Sequence, residues 1–146
     1  MRKKETRINM ADLSLKIVTP EQVVYEGEAD QVNVSTTKGE LGILPHHASL
    51  MAKLLPGELR IKKSGKISFF AIGAGFLQVE DNNLIIMTDL AQNADEIDEK
   101  AVEQARKRAQ EALEQKLGDE EYAETMAALE RSLAQLKVKR RRKSSI

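Results

Sequence analysis

A chain of 146 residues with no cysteine and only two histidines, adjacent to each other, has room for two small domains; it excludes disulfides, thiolate chemistry and a histidine-rich metal centre. Its 23 basic and 23 acidic side chains cancel. The cancellation hides a pattern, because residues 1–10 carry four basic and one acidic residue, 11–92 seven and ten, and 93–146 twelve of each.

Residues 1–9, with Arg2, Lys3, Lys4 and Arg7, read as a disordered N-terminal extension with no assigned role. No apolar leader follows them, and no run approaches the roughly 18 apolar residues of a membrane span, so the chain is expected to stay where it is made. Residues 10–92 then read as short strands. Leu13, Leu15 and Ile17 alternate with Ser14 and Lys16; Val32 and Val34 flank Asn33; Leu59 and Ile61 flank Arg60. Phe69-Phe70-Ala71-Ile72 and Leu84-Ile85-Ile86-Met87 are continuous apolar runs, expected where both faces of a strand are covered. Turn chemistry separates them at Thr19-Pro20, Lys38-Gly39, Pro56-Gly57, Ser64-Gly65 and Asp81-Asn82-Asn83. Regular short strands at this spacing favour a β-sandwich or barrel.

Composition changes near residue 92. Residues 93–138 read as two helices, the first capped by Asp95 with acids at Glu96, Asp98 and Glu99 in its positive first turn. Val102, Ala105, Ala109 and Ala112 form its seam, widened by Ile97, Leu113 and Leu117. Gly118 is expected to stop this helix and Asp119 to cap the next, whose seam is Tyr122, Met126, Leu129, Leu133 and Leu136. Two such helices joined by a Gly-Asp turn make an antiparallel hairpin. Few large apolar side chains stand against the entropy of ordering it, so it is expected to depend on a docking surface and to be able to leave it. Residues 139–146 form a basic tail; six of the seven residues 137–143 are Lys or Arg.

The most specific stretch is Gly39-Glu40-Leu41-Gly42-Ile43-Leu44-Pro45-His46-His47-Ala48. It resembles the signature loop of the epsilon subunits of F-type ATP synthases. Pro56-Gly57, Gly73-x-Gly75-Phe76, the run at 84–89, Glu96-Ile97-Asp98 and the pattern from Tyr122-Ala123 to Leu133-Ala134-Gln135-Leu136 follow in the same order, covering nearly all of 10–138. The resemblance implies a ten-stranded β-sandwich followed by an antiparallel two-helix hairpin. It also implies a non-catalytic rotor subunit that binds the gamma subunit and the c-subunit ring, with helices that extend toward the alpha/beta hexamer and inhibit ATP hydrolysis. Catalysis would lie in the beta subunits, consistent with the lack of a phosphate-cradling loop here. Membrane association would come only through the complex, peripherally, on the cytoplasmic face of a bacterial plasma membrane or on a thylakoid membrane.

Residue by residue, Glu40, with Gly39 and Gly42 supplying tight-turn backbone, matches the loop that touches the c ring. His47 matches the histidine at the gamma interface, whereas His46 takes a position commonly filled by Gly or Asn. Ser49 departs from a frequent proline. Some bacterial relatives bind ATP through an Ile/Leu-Asp-x-x-Arg-Ala motif and arginines on both helices. Ile97, Asp98, Arg108 and Arg131 match that set, but Ala101, Val102 and Gln135 replace the rest. Losing two guanidiniums removes strong phosphate bonds, so ATP is expected to be a weak regulatory ligand at most, and no other cofactor is expected. Arg131, Lys137, Lys139, Arg140, Arg141 and Arg142 would meet the beta subunit when the hairpin extends. The alternatives are a stand-alone nucleic-acid module using the basic tail and a small hydrolase. Few aromatics and zero net charge oppose the first, and no nucleophile–base constellation supports the second.

Overall fold

A computed structural model describes residues 12–144; the extension at 1–9 lies outside the described residues. Nine strands come first: β1 (Leu13–Val18), β2 (Val23–Ala29), β3 (Gln31–Thr36), β4 (Gly39–Ile43), β5 (Leu50–Lys63), β6 (Lys66–Ile72), β7 (Gly75–Glu80), β8 (Asn83–Thr88) and β9 (Ala91–Asn93). A short 3₁₀ turn at Ala94–Glu96 leads to helix α1 (Glu99–Leu113) and helix α2 (Asp119–Ser144).

The strands form one ladder in the order β2-β1-β8-β7-β5-β3-β4, with β6 paired to β5 and β9 to β6. All pairs are antiparallel except β1 with β8. The ladder folds over a single core that holds Leu13, Leu15, Ile17, Val32, Val34, Leu59, Ile61, Ile72, Leu77, Val79, Leu84 and Ile86. Tyr25 of β2 meets Phe70 of β6 edge to face, 6.0 Å between ring centres, where the two layers close on each other. Ser64-Gly65 and Asp81-Asn82 all sit at positive φ, the backbone that primed hairpin turns require, as their residue types predict.

Pro56-Gly57 behaves differently from its reading as a turn between strands. β5 runs straight through it, so nine strands stand among the described residues where ten are expected. Its first half pairs with β7 and its second half with β6. The partner β3 advances two residues, Val34 to Thr36, while β5 recedes five, from Leu59 to Leu54. This irregularity reverses the side-chain alternation: Leu54 points into the core before it, Leu59 and Ile61 after it, while Met51, Lys53, Glu58 and Arg60 face outward. Pro56 lacks the N–H that an unbroken ladder would need, and a bulge is where a strand tolerates that.

The two apolar runs differ. On β6, Phe70 and Ile72 enter the main core while Ala71 and Phe69 pack under the hairpin with Ala94, Ile97, Val102 and Val138. Of the β8 run, Leu84 and Ile86 are buried while Ile85 is 36% and Met87 39% exposed, so nothing in the described chain covers that outer face.

The hairpin corrects the sequence reading in four places. Asp98, not Asp95, caps α1, its carboxylate accepting the Ala101 N–H at 3.2 Å, while Asn93 caps the 3₁₀ turn that carries Asp95. The helix ends at Leu113, and Gly118 opens α2 instead of stopping α1, its carbonyl accepting the Tyr122 N–H at 2.8 Å. Tyr122 and Leu133 of the expected seam are about half exposed, whereas Val138, off that seam, is fully buried. The cause is tertiary: the first half of α2 has only α1 to pack on, but its second half is held between α1 and the β5–β6 face, so the buried arc shifts and widens. Finally, the basic run is not a separate tail, because α2 continues through it to Ser144, with Arg141, Arg142 and Lys143 at the negative end of the helix.

Candidate functional site

The signature loop starts at a turn that only glycine tolerates well. Gly39 has φ 107°, and Thr36 Oγ1 donates to its carbonyl at 2.7 Å. Gly42 is different from its expected turn role: it lies within extended β4 opposite Asn33, where a Cβ would stand 3.2 Å from the Asn33 amide nitrogen. Past β4, His46 adopts φ 66°, which accounts for Gly and Asn at this position in the sequence pattern. Its N–H donates to Asn82 Oδ1 at 2.7 Å, and Asn82 Nδ2 donates to the Asp12 carbonyl at 2.7 Å, so the loop is tied to the β7–β8 turn and the start of β1. His47 is half-buried; its N–H donates to Leu44 O at 3.2 Å and its Nδ1 lies 2.7 Å from Ala48 O.

Glu40 is exposed and joined to the sheet by charge. Its Oε2 accepts from Arg60 at 2.8 Å, and the other arm of the same guanidinium reaches Glu58 Oε1 at 2.8 Å. Burial alone would lower the Arg60 pKa, but the hydrogen bond to Glu58 and the charge of Glu40 outweigh it and hold the proton more tightly than usual. Glu58 is the unusual member. Its side chain is 6% exposed, its Oε1 also meets Arg141 of α2 at 3.2 Å, and its Oε2 is buried without a hydrogen-bond partner.

Most of the residues assigned to a beta-subunit contact are engaged in this docked arrangement. Arg131 pairs with Asp89 at 3.1 Å, and Lys139 Nζ donates to Ala94 O at 3.1 Å. Arg140 reaches Glu99 at 2.9 Å and Glu103 at 3.1 Å, and Lys143 reaches Glu99 at 3.1 Å. Arg142 lies 3.7 Å from Asp95 and stacks on Phe69, 5.8 Å from the ring centre. Lys137 is exposed and borders a groove with Leu55, Pro56 and Gly57. Hydrogen bonds from Arg140 and then Lys143 hold the Glu99 carboxyl below its ordinary 4.5; Arg106 foremost, and then Arg140, do the same for Glu103.

The four residues matched to a nucleotide motif are not gathered by any of these contacts. Ile97 is buried under α2, Asp98 caps α1, Arg108 borders a groove between the helices with Glu124 and Thr125, and Arg131 is on Asp89. Gln135, standing in an arginine position, donates to Gln92 at 2.6 Å. Sequence reasoning missed Glu58, Asp89 and Glu103 as ion-pair partners, took Glu99 only as a first-turn acid, and saw Arg60 only as a polar spacer. A signal existed for two of them: an antiparallel hairpin sets the acidic start of one helix beside the basic end of the other. Among the described residues no group of three His, Asp or Glu side chains is placed to hold a metal ion, and no helix is long and apolar enough to cross a membrane.

Comparison with known proteins matches the two halves separately. Residues 12–94 match the β-sandwich domain of the ATP synthase delta/epsilon chain, and residues 95–140 match its long alpha-helix domain. The ATP synthase epsilon chain of Herpetosiphon aurantiacus is 40% identical over 132 residues, 90% of this chain and 97% of that one. That of Caldicellulosiruptor bescii is 36% identical over 94% of this chain and 100% of its own. A solved chain in the Euglena gracilis mitochondrial ATP synthase OSCP/F1/c-ring structure superposes with a TM-score of 0.67 at 26% identity, covering 82% of this chain and 76% of that one. With both domains matched in order and nearly full-length relatives above 30% identity, the chain belongs to the ATP synthase delta/epsilon chain family.

Proposed function

We propose that this chain is a non-catalytic central-stalk subunit of a proton-translocating F-type ATP synthase, binding the gamma subunit and the c ring and inhibiting ATP hydrolysis through its hairpin. The observation that carries the reading is the contrast between its two outer faces. One is covered by α2; the other, on β5, β7 and β8, presents Met51, Phe76, Ile85 and Met87 to solvent. Phe76 pairs with Met87, and Gln78 lies between Met51 and Ile85, so the four form one patch. Adjacent exposed apolar side chains of this kind mark a protein interface, and gamma is the partner assigned to it, with His47 in the loop nearby in sequence. Glu40, at the exposed Gly39 turn, is the contact assigned to the c ring, with Gly39 shaping the turn. Membrane attachment is then peripheral and entirely through the complex, on the cytoplasmic face.

Extension of the hairpin would free Arg131, Lys139, Arg140, Arg141 and Arg142 from their present acidic or carbonyl partners, and Lys137 with them, to meet acidic segments of the alpha/beta hexamer. The same engagement weakens the nucleic-acid reading. ATP is assigned at most a weak regulatory role, since Asp98 and Arg131 already have partners and Gln135 cannot replace a guanidinium. Truncation after Gln92, followed by reconstitution of the complex, is expected to keep assembly and coupling and to raise ATP hydrolysis. Equal hydrolysis by truncated and full-length complexes overturns the inhibitory role.

A further inference from the structure

Four ionised side chains connect the exposed Gly39 turn to the far end of α2: Glu40 to Arg60 at 2.8 Å, Arg60 to Glu58 at 2.8 Å, Glu58 to Arg141 at 3.2 Å. Two guanidiniums converge on one oxygen of Glu58 while its other oxygen is buried and takes no hydrogen bond. A buried carboxylate gains most from a two-pronged arginine that satisfies both oxygens, and Arg60 is kept from that geometry by spending one arm on Glu40.

We propose that Arg60 is a switch that makes engagement of Glu40 by an external cation and docking of the α2 terminus mutually antagonistic. A lysine or arginine of a partner on Glu40 releases the second arm of Arg60, which turns onto the empty oxygen of Glu58. With both arms of Arg60 on it, the Glu58 carboxylate attracts Arg141 less, the Glu58–Arg141 pair weakens, and the last turns of α2 loosen to that extent. In the other direction, undocking of α2 leaves Glu58 to Arg60 and leaves Glu40 open to the partner, by the same free energy. The pairs that this end makes on Glu99, Glu103 and Asp95 do not involve Arg60 and are not touched by the exchange. Only the identity of the cation rests on the function proposed above; the coupling is a property of the chain by itself.

The test is therefore done on the isolated full-length protein, by hydrogen–deuterium exchange of amides in residues 134–143. Glu40 and Arg141 are both exposed enough for E40Q and R141Q to fold. E40Q, which removes the charge as an external cation would mask it, is expected to speed exchange there by about two- to fivefold, the range of a solvated ion pair. In the R141Q background E40Q is expected to change nothing. No acceleration by E40Q, or an equal acceleration with and without Arg141, overturns the proposal. Failure of E40Q to affect assembly of a reconstituted complex would instead count against the c-ring contact and leave this coupling standing.

Discussion

Strands β6 and β8 carry the same kind of sequence, four apolar residues in a row, and meet different surroundings. The outer side of β6 lies beneath α2, where Ala71 and Phe69 join Val138, Ile97 and Ala94. The outer side of β8 lies bare, with Ile85 and Met87 beside Phe76 and Met51. The cover on β6 also differs in kind from a core. Its buried side chains are small or few, and its margin is a ring of solvated ion pairs, each worth little and each screened by salt. Arg141–Glu58, whose carboxylate is buried, is the exception among them; the rest give way readily, and such a cover can be lifted. The face on β8 is flanked by Lys16 and Lys53 but, among the described residues, by no ring of ion pairs, and it suits a partner that stays.

The comparison can be broken first on the β8 side. Phe76→Glu combined with Met87→Lys, opposite charges on a directly paired position, should weaken binding to the partner by roughly a hundredfold or more, given about 1.5–3 kcal/mol for each large apolar side chain buried. The thermal midpoint of the isolated chain should hardly move. A calorimetric titration with the gamma subunit and a melting curve check both; unchanged affinity would remove gamma from this face. On the β6 side, Val138→Asp sets a carboxylate among Ala71, Ala94 and Ile97 and should cost docking about 2–4 kcal/mol. Amide exchange should then approach unprotected rates in the second half of α2 while the sandwich stays protected. Loss of protection in β6 and β5 as well would mean that the cover is part of the core.

A smaller effect is expected from acid. Glu99 and Glu103 have carboxyls held below their ordinary 4.5 in the docked state. Their contribution is therefore complete above 4.5 and is lost as pH falls through the lower, folded values. The hairpin should loosen below that point before the sandwich does, followed by the amide signals of α1 and α2 in an NMR titration. Smallest of all, Leu133→Ala should change stability by less than about 0.5 kcal/mol in a urea melt, because Leu133 is half exposed in spite of its seam position.

Much of the sandwich was legible because its rules are local. Leu13, Leu15 and Ile17 declare a half-buried strand, and Ser64-Gly65 and Asp81-Asn82 declare their turns through the backbone they permit. What could not be read is what depends on a second element. Phe69 to Ile72 and Leu84 to Met87 look alike until α2 arrives on one of them. Val138 is a lone apolar residue inside a basic run, and only the docking of α2 shows it as the anchor. In the candidate site, Glu40 and Gly39 stood out in the loop sequence. Glu58 did not, since a single glutamate beside Leu59 gives no hint that Arg60 and Arg141 converge on it.

The passage of β5 through Pro56-Gly57 has a mechanical consequence. Two stacked layers held only by side-chain packing can shear past each other under a sideways load. Here one unbroken backbone belongs to both: residues 50–54 pair with β7 in the layer that bears Phe76, and residues 57–63 pair with β6 in the layer under the hairpin. The neighbouring β3 is hydrogen-bonded on both sides of the bend. A torque applied at the exposed face is thus carried to the helix-bearing face by covalent bonds in tension, and the two faces turn together without slip.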